Sequence, residues 1–518
     1  MTFWKKIELP IVTVIVVVIS ALYILGPHLE TMNNDPGLGW HLKAGEIILN
    51  TGAFIYEEPF LALSDGQRWV YDQWLSGLLL SSIFEIGSWE LLVVFSFSLI
   101  LLTFFPFVWA RTLQDSNSAI WSGLSILLSL KLLTLHAITR PLVFSFLLFA
   151  ILLCLLYRFR QQLLAGSLSS GLSFAIPFLF IAWVNIHPYF AMGLVIFGLV
   201  LFGMMLDQVV LTRFKVPPKS WKMASLVFLL SIAVTLVNPY GYAVHLQTIA
   251  QGLDPFFSVL YSEWRPLDFT SPEGELFQFV IGIIALAAIF SEDFRKRYGF
   301  AELLPALALI HFALGSVRGV PLVGIFIAPL LACAFKDLAG LPWFSRFPFL
   351  RRKGGCRVII QPGVSSVVMP IFCGLVLGYV VFSDRSTNMA EAAFEPSREL
   401  YPYEALSTLR EWGRDEPITI YSSPNLGGFL IFNGYPEIKP MLDDRNTVNS
   451  QEAYQDYLDL LDGTKELCEV ELARESSVVL VSSRSVAGRG REDLTNLGKV
   501  DLGSWILVRS VAKGCISD

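Results

Sequence analysis

The stretch DPGLGWHLKAGEIILNTGAFIYEEPFLALSDGQRWVYDQW, residues 35–74, decides how the rest of the chain is interpreted. It follows the first long apolar run, and it interleaves charged residues with Trp40, Trp69 and Trp74. A loop of this length is uncommon in a compact domain unless it serves a function. We therefore interpret residues 30–72 as a long first outer loop that forms half of a functional site.

Composition predicts a polytopic membrane protein with a soluble C-terminal domain. The 518 residues are 54% hydrophobic and 16% charged, and the mean hydropathy is +0.58, which excludes an ordinary soluble enzyme. Residues 1–384 carry 24 Lys and Arg against 22 Asp and Glu, whereas residues 385–518 carry 14 against 22. We expect a transmembrane domain over 1–384 and an acidic α/β domain over 385–518. No basic footprint for nucleic acid is present.

Eleven apolar runs are long enough, or nearly so, to cross a membrane as helices. They centre on 10–26, 89–110, 119–137, 141–157, 172–186, 188–207, 223–237, 275–291, 300–314, 320–335 and 364–383. The shorter run 73–86 closes with Gly87 and predicts a helix that lies at the membrane interface. No small-residue cleavage site follows the first run, so we expect a retained helix instead of a signal peptide.

The distribution of Lys and Arg predicts the orientation of these helices. With the N-terminus inside, the cytoplasmic segments hold 18 Lys and Arg, and the outer segments hold five. This bias agrees with the positive-inside rule. It places the domain over 385–518 on the outer side.

Polar residues at the span ends fall mostly on the predicted outer face. Ionisable groups near membrane depth are costly and usually face a bundle interior or a wet cavity. The candidates for binding a substrate in one outward cavity are His41, His136, Arg140, Asn185, His187, Asn238, Glu263, Arg265, His311 and Arg318. Each also has a structural interpretation: Asn238 and Arg265 precede prolines and suit turns, and a lone His is often a packed polar residue.

Basic side chains in such a cavity would bind a phosphate or pyrophosphate. The forked guanidinium of Arg140 or Arg318 suits bidentate binding, whereas Lys131, inside a span, either contributes or only snorkels towards the surface.

A carboxylate in the same cavity would act as a general base on an acceptor hydroxyl. Asp35 is the first candidate because it follows the first helix closely, and Glu58 is the second; Glu263 is within topological reach. The structural alternatives are an Asp-Pro turn at Asp35 and a solvated pair of Glu57 and Glu58.

Several familiar motifs are missing from the sequence. It contains no Walker A loop, HExxH, paired CxxC or GxSxG, so nucleotide hydrolysis, standard zinc chemistry and serine hydrolysis lack support. No cofactor is indicated, and a divalent metal ion is left open. The tryptophans would either stack on sugar rings or anchor the protein at the interface.

The last quarter of the chain predicts a small α/β domain. PITIYSSPNLGGFLIF (417–432), SSVVLVSS (476–483) and SWILVRS (504–510) have the pattern of strands, and 450–462 that of a helix. Asp443, Asp444 and Arg445 suit a turn held by an ion pair better than a metal site. Cys468 and Cys515 are expected as free thiols, or as a disulfide if the domain is exported.

The first-loop pattern resembles that of bacterial membrane proteins classed with the GT-C glycosyltransferases, which include protein O-mannosyltransferases and lipid A aminoarabinose transferases. The resemblance continues in order through most of the chain. The further matching segments are ITRPLVFSFLL (138–148), WVNIHPYFAMGL (183–194), VNPYGY (237–242), SEWRPLDF (262–269), VRGVPLVGIFIAPLLA (317–332) and LGGFLIFNGYPEIKPMLDDR (426–445). It implies a GT-C-like fold of about eleven transmembrane helices with a C-terminal extracytoplasmic domain.

The resemblance also implies a function in the bacterial cell envelope. A sugar would pass from a polyprenyl-phosphate donor to a lipid, glycan or protein acceptor on the outer face of the cytoplasmic (inner) membrane. An acidic residue of the first loop, here Asp35, would be the base. The chain departs from the family pattern in having Gly37 for a second Asp, Glu58 for an Asp, and Asp72-Gln73 for His-Glu.

Two other functions remain open from the residues. A transporter or flippase of a lipid-linked glycan predicts a path through the bundle and a role for Lys131. A non-catalytic envelope assembly protein predicts that Asp35 has no role. The glycosyltransferase predicts one cavity that unites Asp35, Arg140 and Arg318.

Overall fold

A computed structural model of the chain describes residues 7–212, 214–254, 256, 261–341, 357–360, 394–483 and 498–509. The chain forms two compact units. Unit 1 comprises Met1–Glu30, Val93–Gly241 and Phe257–Ala390, and unit 2 comprises Thr31–Leu92, Tyr242–Phe256 and Glu391–Asp518.

Long apolar helices make this an integral membrane protein. Among the described residues, seven helices are long and apolar enough to cross a membrane, and three further apolar helices are shorter. Ten of the eleven predicted spans coincide with these helices, and the eleventh, 364–383, lies outside the described residues. The helices that start in unit 1 are Ile11–Leu25, Ala110–Ser116, Ala119–Leu133, Leu142–Leu164, Ser170–Val184, Phe190–Val209, Pro218–Ala233, Pro272–Phe290, Glu292–Arg297, Phe300–Gly315 and Val320–Ala339. The strand Ile7–Pro10 pairs antiparallel with Arg357–Ile360.

The helix Val320–Ala339 forms the centre of unit 1. Every residue from Val320 to Ala334 is buried, as expected of a helix that is apolar on all sides. It packs against Ala119–Leu133, where Ser125 Oγ donates to the carbonyl of Ala328 at 2.6 Å. That bond satisfies a hydroxyl buried between two helices.

The helix Trp74–Leu102 is broken where the sequence predicts the end of a short helix. Gly87 has φ −151° and Ser88 has φ 55°, so 74–86 is separated from the span that follows. Further on, Thr103–Trp109 is a π-helix around Pro106, since proline lacks the N–H that a regular helix needs there. The position of 73–86 at a membrane interface stays a prediction.

Unit 2 contains a helix that the sequence analysis did not predict. Residues Leu38–Thr51, within the predicted loop 30–72, are α-helical and end at Gly52, whose φ is 66°. This helix packs closely on Pro424–Gly434. The carbonyl oxygen of Gly428 occupies the place where a Cβ at position 39 would lie, so the close approach requires Gly39. A second unpredicted helix is Ala243–Leu253.

A five-stranded sheet forms the C-terminal part of unit 2. Its strand order is Ile438–Pro440, Ile418–Tyr421, Val478–Ser482, Trp505–Arg509, Gly498–Asp501. The first three strands are parallel and the last two join antiparallel. The helices of this part are Tyr403–Trp412, Pro424–Gly434, Gln451–Asp462 and Glu471–Glu475.

The sheet confirms three predicted strands and the helix over 450–462, with one correction. The prediction of a strand over the whole of 417–432 is wrong beyond Tyr421, because Pro424 occupies the first turn of a helix, where its missing N–H costs nothing. The interpretation of Cys468 as a free thiol is also wrong, since it is disulfide-bonded. Cys515 lies outside the described residues.

Candidate functional site

Two short turns in unit 1 bring the predicted polar residues together. Glu263 lies in the turn Ser262–Trp264, and Arg318 lies in Val317–Gly319, directly before the buried helix Val320–Ala339. Val317 N donates to the carbonyl of Arg265 at 2.9 Å, and Ser316 Oγ donates to that of Glu263 at 3.0 Å. These bonds hold the two turns against each other.

The carboxylate of Glu263 lies between two arginines. Its Oε1 accepts from Arg318 Nη2 at 2.6 Å, and its Oε2 accepts from Arg140 Nη1 at 2.9 Å. His136 Nε2 is 3.8 Å from Oε2. Burial tends to raise the pKa of Glu263, but Arg140 and Arg318 outweigh it and lower the pKa to about 2. We call Arg140, His136, Glu263 and Arg318 the Glu263 cluster.

The Glu263 cluster has one positive charge in excess, with aromatic groups around it. Arg318 Nε has no hydrogen-bond partner among the described residues, and the guanidinium lies 4.5 Å from the ring centre of Trp264. Tyr189 Oη donates to the carbonyl of Arg318 at 3.1 Å. Burial, followed by Arg318 and Arg140, lowers the pKa of His187 well below its usual value, so His187 is neutral.

Asn185 and Asn238 make structural hydrogen bonds. Asn185 Nδ2 donates to the carbonyls of Ile181 and Val237 at 2.8 and 2.9 Å. Asn238 Nδ2 donates to those of Thr235 and Gly241 at 2.9 and 3.0 Å. These hydrogen bonds favour a structural role over substrate binding for both residues, and for Asn238 they agree with the turn interpretation.

In unit 2, Asp35 precedes the helix Leu38–Thr51 and is 5% exposed. Its Oδ1 accepts from Gly37 N at 2.8 Å, and its carbonyl accepts from Leu38 N at 3.2 Å. Asp35 therefore forms the turn that starts this helix. The helix N-terminus stabilises a negative charge there.

Glu58 is saturated by hydrogen bonds within the same unit. Its Oε1 accepts from the backbone N–H groups of Phe60 and Leu61 at 2.8 and 3.1 Å. Arg445 donates to Oε2 at 2.6 Å and to Oε1 at 3.0 Å. Arg445 also binds Asp443 through Nε at 2.6 Å, as predicted for a turn held by an ion pair. These contacts favour a structural role for Glu58 over that of a base.

Aromatic rings cover the ion pair of Glu58 and Arg445. The guanidinium lies 5.2 Å from the ring centre of Trp40 and 4.7 Å from that of Trp69. The ring of His41 lies against that of Trp40 at a tilt of 31°, with 3.6 Å between ring centroids, and its Nδ1 lies 3.2 Å from Tyr71 Oη. His41 is 1% exposed, which favours a packing role over substrate binding.

Asp72 is a functional candidate to which the sequence analysis assigned no role. Burial raises its pKa to about 7, against hydrogen bonds from Gln73 and Gln247 that favour the charged form. A carboxyl with a pKa near neutrality suits general-base catalysis. The sequence signal was its place in Asp72-Gln73-Trp74, but burial could not be read from the residues.

The predicted residues thus form two groups. Unit 1 joins Arg140, Glu263 and Arg318, whereas Asp35 and Glu58 belong to unit 2. A common cavity for Asp35 and Arg318 stays a prediction. In the described part of the chain, no group of three or more His, Cys, Asp or Glu side chains is arranged to hold a metal ion.

Lys131 pairs with an acidic residue of a neighbouring helix in unit 1. Its Nζ lies 3.0 Å from Glu273 Oε1, and its side chain is 40% exposed. This contact neutralises the charge, so Lys131 gives no support to a transport path through the bundle.

The fold resembles that of solved oligosaccharyltransferases. The oligosaccharyltransferase AglB from Archaeoglobus fulgidus, solved with an inhibitory peptide and a dolichol-phosphate, has a TM-score of 0.55 and 14% identity over 91% of this chain and 69% of that chain. An oligosaccharyltransferase from Archaeoglobus fulgidus in the apo form has a TM-score of 0.51 and 13% identity, with the same coverage. ArnT from Cupriavidus metallidurans in the apo state has a TM-score of 0.49 and 13% identity over 98% of this chain and 99% of that chain. No family model and no curated protein matches the sequence.

Proposed function

We propose that this protein is a membrane glycosyltransferase that moves a sugar from a polyprenyl-phosphate donor to an acceptor on the outer face of the bacterial cytoplasmic membrane. The observation that carries the proposal is the Glu263 cluster, in which two arginines share one carboxylate. The same proposal assigns 1–384 to the membrane domain, with the N-terminus inside, and 385–518 to the extracytoplasmic domain.

Arg140 and Arg318 are the proposed ligands of the donor phosphate. One carboxylate cannot neutralise two guanidinium groups, and the side chains of Arg140 and Arg318 are 16% and 18% exposed, so an anion can reach them. Arginine binds phosphate oxygens through charge-assisted hydrogen bonds, often two at once. Arg318 Nε, a donor without a hydrogen-bond partner among the described residues, suits such a contact.

The fold supports this class of donor. AglB was solved with a dolichol-phosphate, which is a polyprenyl phosphate, and with an inhibitory peptide. By analogy, this chain takes a lipid-linked sugar and a lipid, glycan or protein acceptor.

Asp35 is the proposed general base. The acceptor oxygen attacks the anomeric carbon of the sugar and forms the new glycosidic bond, while the bond from that carbon to the phosphate oxygen breaks. The polyprenyl phosphate leaves with the bonding electrons, and the acceptor proton passes to the carboxylate of Asp35. The N-terminus of the helix Leu38–Thr51 lies beside Asp35, and a helix N-terminus favours negative charge. Asp72 is the second candidate, because its pKa of about 7 suits proton transfer.

The test is Asp35→Asn in cells that lack the native protein, followed by analysis of surface glycans and by transfer assays with the purified protein. We expect loss of the glycan and a rate about 10²- to 10⁴-fold lower, since that is the usual contribution of a general base. Asp65→Asn, an exposed carboxylate in the same loop, is the matched control. Normal glycans at normal protein levels in Asp35→Asn would contradict the role of Asp35. Normal glycans in cells without the protein would contradict the function itself.

A further inference from the structure

A cavity lies at one edge of the C-terminal sheet in unit 2. The parallel strands Ile418–Tyr421 and Val478–Ser482 both end there, and the helix Pro424–Gly434 begins there. Its volume is about 310 Å³. Ligands of α/β domains commonly bind outside the carboxyl ends of parallel strands, and a pocket of this size holds a small molecule.

The lining of the cavity is mostly apolar, with some polar groups and no charge. Four aromatic side chains line it, those of Tyr401, Tyr421, Tyr457 and Trp505, together with five leucines, a valine and a proline, and with hydroxyl and amide groups of serine and asparagine. None of its described lining residues is Asp, Glu, Lys, Arg or His. A phosphate, a nucleotide or an acidic glycan would find no counter-charge there, and burial of an unpaired charge is costly.

Two polar atoms on the lining side chains call for a ligand with hydroxyl groups. Within the described residues, Tyr421 Oη and Trp505 Nε1 have no hydrogen-bond partner, and the two residues are 1% and 6% exposed. A purely apolar ligand, such as an acyl chain, would leave both groups buried and unsatisfied at a cost in free energy. A sugar offers both an apolar ring face and hydroxyl groups that accept and donate.

We propose that this cavity binds a neutral carbohydrate, with sugar rings against the aromatic side chains and sugar hydroxyls bonded to Tyr421 Oη and Trp505 Nε1. Neither the fold comparison nor the Glu263 cluster implies this site. A neutral polar peptide is the competing ligand, and it becomes an outcome of the test.

The cavity also borders the residues on either side of Asp35. Asn34 and Pro36 line it, and Tyr401 Oη donates to the carbonyl of Asn34 at 2.9 Å. The bound carbohydrate is therefore the acceptor, a step that rests on the proposed function. The binding itself does not depend on that function.

The test measures saccharide binding by the full-length protein in lipid nanodiscs, without glycosidic detergents. Saturation-transfer NMR uses maltotriose as the neutral probe, trigalacturonate as the acidic probe and the peptide Gly-Ser-Asn-Gly, with blocked ends, as the neutral peptide. The variants are Tyr421→Phe, which removes the hydroxyl but keeps the ring, and Asn425→Trp, which fills the cavity from an exposed position. Tyr403→Phe is the matched control, since Tyr403 lies in the same unit outside the cavity.

We expect maltotriose to bind to the wild type and to Tyr403→Phe, and trigalacturonate not to bind. Loss of one hydrogen bond in Tyr421→Phe should weaken maltotriose binding about three- to tenfold, and Asn425→Trp should abolish it. No binding to the wild type, equal binding in Tyr421→Phe, or preference for the acidic probe or the peptide would overturn the proposal. Asp35→Asn should bind maltotriose normally, so a failure of catalysis is distinguished from a failure of this site.

Discussion

Arg445 donates two hydrogen bonds to the carboxylate of Glu58, which lies 387 positions earlier in the chain, at 2.6 and 3.0 Å. Both residues are buried, at 5% and 1% exposure, and Asp443 supplies a second carboxylate to the same guanidinium. The pair joins the first loop to the C-terminal sheet within unit 2. It explains why the first loop carries Glu58 without requiring a catalytic role.

Glu58→Gln should destabilise the protein. The substitution leaves a buried guanidinium with one carboxylate fewer, and breaking a buried ion pair typically costs about 3–5 kcal/mol. Thermal unfolding of the purified protein, followed by tryptophan fluorescence, measures the change. The control is Asp65→Asn, which breaks the more exposed pair with Lys439 and should cost at most about 1 kcal/mol. Equal unfolding midpoints for the two variants would contradict the structural role.

Asp72→Asn should change how stability depends on pH. The folded carboxyl keeps its proton up to a pKa of about 7, whereas the unfolded one loses it near 3.8. The stability that Asp72 contributes is therefore fully present below pH 3.8 and is lost as the pH rises through about 7. Unfolding between pH 4 and pH 8 should show a flatter profile for Asp72→Asn, with a gain of up to about 4 kcal/mol at pH 8. If the pH profile of Asp72→Asn parallels those of the wild type and of Asp65→Asn, the pKa of the Asp72 carboxyl is not raised.

Glu263→Gln should destabilise unit 1 at neutral pH, because Arg140 and Arg318 lose their shared carboxylate. We expect a loss of about 3 kcal/mol. The lowered pKa means that the stabilisation by Glu263 is present above its ordinary value of 4.5 and is lost as the pH falls through about 2. Unfolding midpoints of wild type and variant should converge over that acid range. Glu275→Gln, at an exposed position, should change stability by less than about 0.5 kcal/mol at any pH.

Arg318→Lys should weaken binding of the donor more than it affects turnover. Lysine keeps the positive charge near Glu263 but lacks the planar fork and Nε–H of arginine. Under the proposed function, the KM for the polyprenyl-phosphate donor should rise about tenfold, which corresponds to one charge-assisted hydrogen bond, and kcat should change little. Arg295→Lys is the control: Arg295 is exposed and is not part of the Glu263 cluster, so the substitution should leave both KM and kcat unchanged. A fall in kcat at constant KM would contradict phosphate binding by Arg318.

Local sequence patterns predicted most of the membrane helices and part of the soluble domain. Apolar runs set the spans because a helix must bury or satisfy its backbone groups in lipid, and Gly87 marked the break after 74–86. The same patterns missed Leu38–Thr51, since charged residues and tryptophans hid its periodicity. They also misassigned 424–432 as part of a strand, since an apolar stretch suits a buried strand and a buried helix equally well.

The sequence by itself determined the class of protein, the grouping of polar residues at span ends and the candidates Asp35, Arg140 and Arg318. Only the tertiary structure decided which side chains meet. Glu58 pairs with Arg445, Glu263 pairs with two arginines, and Tyr421 and Trp505 line the same cavity. No local sequence pattern encodes these contacts. Burial, which raises the pKa of Asp72, also depends on packing by distant segments. The charges of the first loop thus include Glu58, which pairs with Arg445 within unit 2, and Asp35 and Asp72, which we propose as candidate bases.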